Sequence, residues 1–87
     1  MELSREYIFP AVLTIRVGSE IAVTFPDLPG CATSGIDVGD AVRCGKNALL
    51  GHLWCMEQDG DEVPLPTQYE DLNLGDNEIA VLLRVGN

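Results

Sequence analysis

His52 and Cys55 stand one helical turn apart, a spacing at which two side chains of a helix can share a metal ion. Two ligands do not make a site, and the other cysteines, Cys31 and Cys44, complete no CxxC pair. No metal centre is expected. Three thiols in this arrangement read as reduced cysteines of a cytoplasmic protein rather than as a disulfide scaffold. His52 has no serine or cysteine nucleophile paired with it in a recognisable pattern, so it reads as a histidine at the rim of a buried face, hydrogen-bonded or partly wet. No P-loop, dinucleotide-binding glycine pattern or HExxH is present. No catalytic residue and no cofactor are assigned.

The charged residues say more. Fourteen acidic residues face five basic ones, for a formal charge of −9. The acids gather at Glu57, Asp59, Asp61 and Glu62, and again at Glu70, Asp71, Asp76 and Glu78. Such a field repels a phosphate backbone, which excludes direct nucleic-acid binding as the expected role. It attracts a basic protein and speeds its approach. The plain alternative is a solvated surface that keeps the chain soluble. Leu50 and Trp54 lie one turn apart beside Arg43 and Asn47, away from the main apolar stripe of the same helix. Either they form an exposed contact surface, or a flanking loop folds over them and makes them core. On the contact reading, the partner-binding residues are Arg43, Leu50, Trp54, Glu57, Asp59, Asp61 and Glu62.

The elements that must position these groups follow from periodicity. A chain of 87 residues is read as one domain over 1–87, small enough to gain from association, and a homodimer or tetramer is expected. No run of about 18 apolar residues occurs, so no membrane span is expected. The charged N-terminus lacks a signal-peptide core, which again places the chain in the cytoplasm. Tyr7 to Val17 reads as a first strand whose Pro10 points to an edge, a bulge or a kink. After a turn at Gly18-Ser19 comes a second strand, Glu20 to Phe25, and then a third from Cys31 to about Ser34. Asp37 is a good helix N-cap and Gly60 a good stop. Between them Val38, Ala41, Val42, Gly45, Ala48, Leu49, Leu53 and Met56 form an apolar stripe, with Gly45 close to a strand. Asp61 to Asn77 is an acidic connector, and Ile79 to Val85 is a last strand. Its apolar residues on both faces point to a central strand or to an outer face covered by another subunit. The intervening helix permits it to run parallel to a neighbour.

Between the second and third strands lies the most constrained segment, Phe25-Pro26-Asp27-Leu28-Pro29-Gly30-Cys31. Two prolines fix φ and remove amide donors, and they push Phe25 and Leu28 away from helix. Asp27 reads as a turn residue that caps nearby amides, and Gly30 as a residue free to take positive φ.

These residues resemble the N-terminal domain of HicB-type antitoxins. The resemblance runs from Phe9-Pro10-Ala11-Val12 through Val23-Thr24-Phe25-Pro26-Asp27-Leu28-Pro29-Gly30-Cys31, Gly35, the capped helix with Ala41 and Ala48, and Asp59-Gly60, to Val63-Pro64-Leu65-Pro66-Thr67. It implies an α+β domain of order β-β-β-α-β, a partial RNase H-like fold in which one helix packs on one face of a small mixed sheet. It also implies that the chain binds a small basic mRNA-cleaving toxin of the HicA type and covers the surface that holds RNA. The C-terminal DNA-binding segment of many relatives is expected to be absent from this chain. A nuclease of RNase H architecture needs several carboxylates converging on magnesium, at least one of them from the first strand. Tyr7 to Val17 holds no Asp or Glu, and Glu20 and Asp27 are two separated acids. An enzyme is therefore not expected. The alternative to an antitoxin is a non-catalytic interaction or small-ligand-binding domain of the same fold.

Overall fold

The computed structural model describes residues 2–86; Met1 and Asn87, the ends of the expected domain, lie outside them. The element order is β1 (Tyr7–Thr14), β2 (Ile21–Thr24), β3 (Ala32–Gly35), α1 (Val38–Asp59) and β4 (Glu78–Val85). A single 3-10 turn, Tyr69–Asp71, interrupts the connector before β4.

The strands form one sheet of order β3-β2-β1-β4. Every pairing is antiparallel, which corrects the mixed sheet expected from the sequence. The chain leaves β3 at one edge, crosses the sheet in α1, and returns at the opposite edge. There β4 runs against β1 over all eight residues, from Tyr7↔Val85 to Thr14↔Glu78. Of the alternatives the sequence left open, two are set aside: β4 is an edge strand, not a central one, and β1, despite Pro10, is not at an edge. Pro10 is tolerated because β1 pairs with β2 only from Val12 to Thr14. At Pro10 the strand is therefore flanked by β4 alone, so a missing amide interrupts no second ladder.

One face of the sheet carries α1. Tyr7, Phe9, Ala11 and Leu13 of β1, Ile21 and Val23 of β2, and Leu83 and Val85 of β4 point toward it and are buried. The helix answers with Ala41, Gly45, Leu49 and Leu53, spaced by four. Burial of Phe9, Leu13, Leu49 and Leu53 stabilises the fold by roughly 1.5–3 kcal/mol each. At Gly45 a Cβ would sit 3.1 Å from Leu83 Cδ1 and 3.4 Å from Val23 Cγ1, so the helix backbone does approach the strands there. Val38 and Met56 flank this contact less completely, Val38 being exposed and Met56 half-buried.

The helix is delimited by local chemistry. The Asp37 side chain accepts the amide of Asp40 at 2.7 Å. Asp40 in turn accepts the amide of Ile36 at 3.0 Å. At the other end Gly60, with φ +74°, lets its own amide reach Glu57 and the Asp61 amide reach the Met56 carbonyl at 2.9 Å.

The opposite face of the sheet is not bare. Within the segment 61–77, here the strap, Pro66 to Glu70 line one hollow on it with Ile8, Pro10 and Leu82. Pro10 and Val12, on this outer face, are buried. Ile8 and Leu82 on the same face remain exposed at 38% and 56%.

Candidate partner-binding surface

The constrained turn between β2 and β3 sets the geometry of one end of the molecule. The Leu28 amide donates to the Phe25 carbonyl and the Cys31 amide to the Leu28 carbonyl, both at 3.0 Å. These two linked turns drive Phe25, Leu28 and Cys31 into the core. Burial pushes the Cys31 thiol up from its ordinary value, and the thiol donates to the Ala48 carbonyl at 3.7 Å. Asp27 does not cap the turn that contains it, as the sequence suggested. Its carboxylate reaches 40 residues along the chain to the strap, accepting the Thr67 amide at 2.9 Å and the Thr67 hydroxyl at 2.6 Å. Glu20, the other acid near β2, accepts the Ser34 hydroxyl at 2.7 Å. Both acids weighed for a nuclease-like pair thus hold strands and strap in place. Among the described residues no group of three or more His, Cys, Asp or Glu gathers as a metal site.

Arg43, Leu50, Trp54 and Glu57 fall on one flank of α1, as their 3.6-residue period requires. The structure separates them along it: Arg43 and Glu57 are about 21 Å apart by helical rise. Arg43 is exposed and paired with Asp40 one turn before it. That pairing, with the Ile36 amide as the larger contributor, holds the Asp40 carboxyl below the usual range. Leu50 and Trp54 are neither free nor fully covered; both are half-buried and pack against the core. Trp54 also borders an open groove, lined with Gly30 to Ala32 of the turn and with Asn47, Gly51 and His52 of α1. His52 is half-buried at this groove, close to the rim position expected of it.

The four acids at the end of α1 divide into two kinds. Asp59, Asp61 and Glu62 are exposed around the Gly60 stop. Glu57 is turned inward to the N-terminal segment. It accepts the Ser4 hydroxyl at 2.6 Å, the Tyr7 hydroxyl at 2.6 Å and the Ser4 amide at 2.9 Å. These bonds, the Ser4 hydroxyl foremost, hold its carboxyl below the usual carboxylate range. The second acid group, Glu70, Asp71 and Asp76, is exposed on the strap. What sequence reasoning missed is the pairing of residues far apart in the chain, Asp27 with Thr67 and Glu57 with Ser4 and Tyr7. No local pattern announces such pairs. That Gly30, Ala32 and Gly51 share a groove was not foreseen, because small side chains mark a groove only once the fold is known.

A helix laid on a four-stranded antiparallel sheet, with an acidic strap and an open groove bordered by Trp54, defines a small α+β domain. The sequence pattern of the HicB-like antitoxins of bacterial toxin–antitoxin systems matches residues 9–82, and the chain belongs to that family. Antitoxin HicB of Escherichia coli K12 is 33% identical over 79 residues, which cover 91% of this chain and 55% of that protein. The chain thus spans little more than half the length of that relative. The N-terminal domain of the Burkholderia pseudomallei antitoxin HicB superposes with a TM-score of 0.75 at 25% identity, covering 93% of this chain and all of that one. A chain of a toxin–antitoxin complex from Streptococcus pneumoniae shares the fold with a TM-score of 0.82 at 21% identity, over 91% of this chain and 68% of that one. No described helix is long and apolar enough to cross a membrane.

Proposed function

We propose that this chain is the toxin-covering module of a cytoplasmic antitoxin. It binds a small basic mRNA-cleaving toxin of the HicA type and obstructs the surface with which that toxin holds RNA. It breaks no bond of its own and does not bind nucleic acid directly. The observation that carries this reading is the placement of charge in a member of the antitoxin family. Asp59, Asp61 and Glu62 at the end of α1, and Glu70, Asp71 and Asp76 on the strap, are all exposed. Their field suits a surface shaped for phosphate. On the flank of α1, half-buried Leu50 and Trp54 supply the apolar anchor that charge alone lacks, since affinity concentrates in a few aromatic contacts. Arg43 stands further along the same flank. Glu57, occupied by Ser4 and Tyr7, supports the surface from behind more than it faces the toxin.

The test is co-expression with the short lysine-rich reading frame expected beside this gene. Growth arrest by that neighbour should be relieved by this protein, and arrest that persists refutes the reading. With purified proteins, Trp54→Ala should weaken the complex by about 2 kcal/mol, roughly 30-fold in Kd. Affinity should also fall as salt rises, because exposed attractions are screened beyond about 10 Å at 0.1 M.

A further inference from the structure

Among the described residues, the outer edge of β4 is the longer of the two unpaired edges of the sheet. It runs eight residues, Glu78–Val85, while the other sheet edge, β3, has four. Among the described residues, the only backbone hydrogen bond to β4 from outside its ladder is that of the Glu78 amide with the Gly75 carbonyl, at 3.2 Å. Protected edges carry proline, lysine, bulges or covering loops. β4 contains no proline, glycine or lysine and pairs with β1 without a bulge. It also exposes apolar side chains, with Ile79 at 42% and Leu82 at 56%.

The occupant is indicated by the order of charges on the strand. Two copies that extend one sheet edge to edge are related by a two-fold axis perpendicular to it. Residues then pair with like faces together, so the sum of paired residue numbers is even. Centring the axis on Val81 sets Glu78 opposite Arg84 of the second copy, and Arg84 opposite its Glu78. The same register pairs Ile79 with Leu83, and Ala80 with Leu82. Centring on Leu82 instead leaves Glu78 opposite Gly86 and Arg84 opposite Ala80, and both charges lose a partner. Arg84 is 67% exposed and bound only loosely, to Glu6 at 3.6 Å. Glu78 Oε1 accepts the Gly75 amide at 2.7 Å, which leaves its second oxygen for a cation. Cross-strand pairs of opposite charge stabilise a ladder, and like charges directly opposite destabilise it.

We propose that β4 is the homodimerisation edge of this protein, pairing antiparallel with β4 of a second copy in the register centred on Val81. The product is one eight-stranded sheet with both helices on the same face. The seam is locally neutral, although each copy carries a charge of −9. This interface is independent of the toxin reading, because it uses neither the α1 flank nor the strap acids.

Sedimentation of the full chain over a concentration series tests it by charge exchange. The wild type should sediment as a dimer. Glu78→Arg and Arg84→Glu should each raise the dimer Kd by about tenfold or more, since two attractive pairs become two repulsive ones. An equimolar mixture of the two variants should recover the dimer. The two substituted positions then face each other with opposite charge across the axis, and so do the native Arg84 of one copy and the native Glu78 of the other. A role confined to one chain cannot produce that recovery. Leu82→Lys, at a position 56% exposed, should also give monomer while the sheet and helix keep the wild-type circular dichroism. A monomeric wild type, a dimer untouched by Leu82→Lys, or variants that stay monomeric when mixed would each overturn the proposal.

Discussion

Substitution of Asp27 by alanine should release the strap while leaving the sheet and helix intact. Asp27 touches the strap through two hydrogen bonds to Thr67, one from the amide and one from the hydroxyl. A hydrogen bond to a charged group contributes about 1.5–3 kcal/mol. Both residues are half-buried, so water replaces part of each bond, and the pair together contributes about 2 kcal/mol. That energy belongs to opening of the strap, since Phe25 and Leu28 on either side of Asp27 stay anchored in the core. The amide of Asp71 is a suitable reporter: it bonds to the Gln68 carbonyl within the strap and does not touch Asp27. Its hydrogen exchange should accelerate about 30-fold in Asp27→Ala. Asp27→Asn keeps one acceptor oxygen for the Thr67 amide and can donate to the hydroxyl, so it should lose only the charge, about 1 kcal/mol, and accelerate exchange about fivefold. Amides of β1 should exchange at the wild-type rate in both. An Asp71 amide as slow in Asp27→Ala as in the wild type would refute the clamp. Acceleration spread equally over β1 would show that Asp27 serves the core instead.

Acid should free the N-terminal segment through Glu57. Its carboxyl lies below its unfolded value, so the stability it adds is present above that unfolded value and is lost as pH falls through the depressed folded one. The Ser4 and Tyr7 resonances should follow this titration, and Glu57→Gln should abolish it. Two glycines should respond oppositely to alanine. At Gly35 the new Cβ would clash with the Ala41 backbone nitrogen, which cannot yield cheaply, so urea unfolding should show a loss beyond the roughly 1–3 kcal/mol of ordinary overpacking. At Gly51 nothing lies within 4 Å, so alanine should raise stability by up to about 1 kcal/mol through helix propensity. Leu53→Ala removes a fully buried side chain beneath the helix and should cost about 2–5 kcal/mol, read from the same urea curves.

The helix was legible almost to the residue because its limits are local chemistry: an aspartate that caps and a glycine that stops. The strands were legible in place but not in partnership. β4 reads as a central strand or one covered by another subunit because Ile79 to Val85 is apolar on both faces, and periodicity does not say what lies beside or above a strand. The strap itself, acidic and rich in proline, reads as a connector, and its anchor at Asp27 lies 40 residues away. Leu50 and Trp54 sit between the two readings weighed for them, since a helix flank meets the core along a line rather than at a wall. The acids were visible as a cluster, but not that one of them, Glu57, is spent on holding the N-terminus.

Under the proposed function, the constrained turn between β2 and β3 is therefore a poor place to look for toxin contacts. Phe25, Leu28 and Cys31 face the core, and Asp27 faces the strap. Each is constrained by what it holds inside this chain, which is reason enough for an unusual run of residues without any partner. On the proposed function, the surface that meets a toxin is built from the residues these constraints leave free: the flank of α1, the acids beyond Gly60 and the acids of the strap. The strap links the two ideas. It carries Glu70 and Asp71 at its 3-10 turn, three and four residues beyond the Thr67 that Asp27 grips. Loosening that grip by Asp27→Ala makes the chain's charge of −9 only one unit less negative, yet sets part of the acidic surface moving. Asp27→Ala and the milder Asp27→Asn should then weaken toxin binding in proportion to strap opening. Asp71→Asn removes the same single charge with the clamp in place, and should cost only the screened Coulomb share, below about 1 kcal/mol. If Asp27→Ala and Asp71→Asn weaken the complex equally, charge count alone governs recognition, and the ordered strap is irrelevant to it.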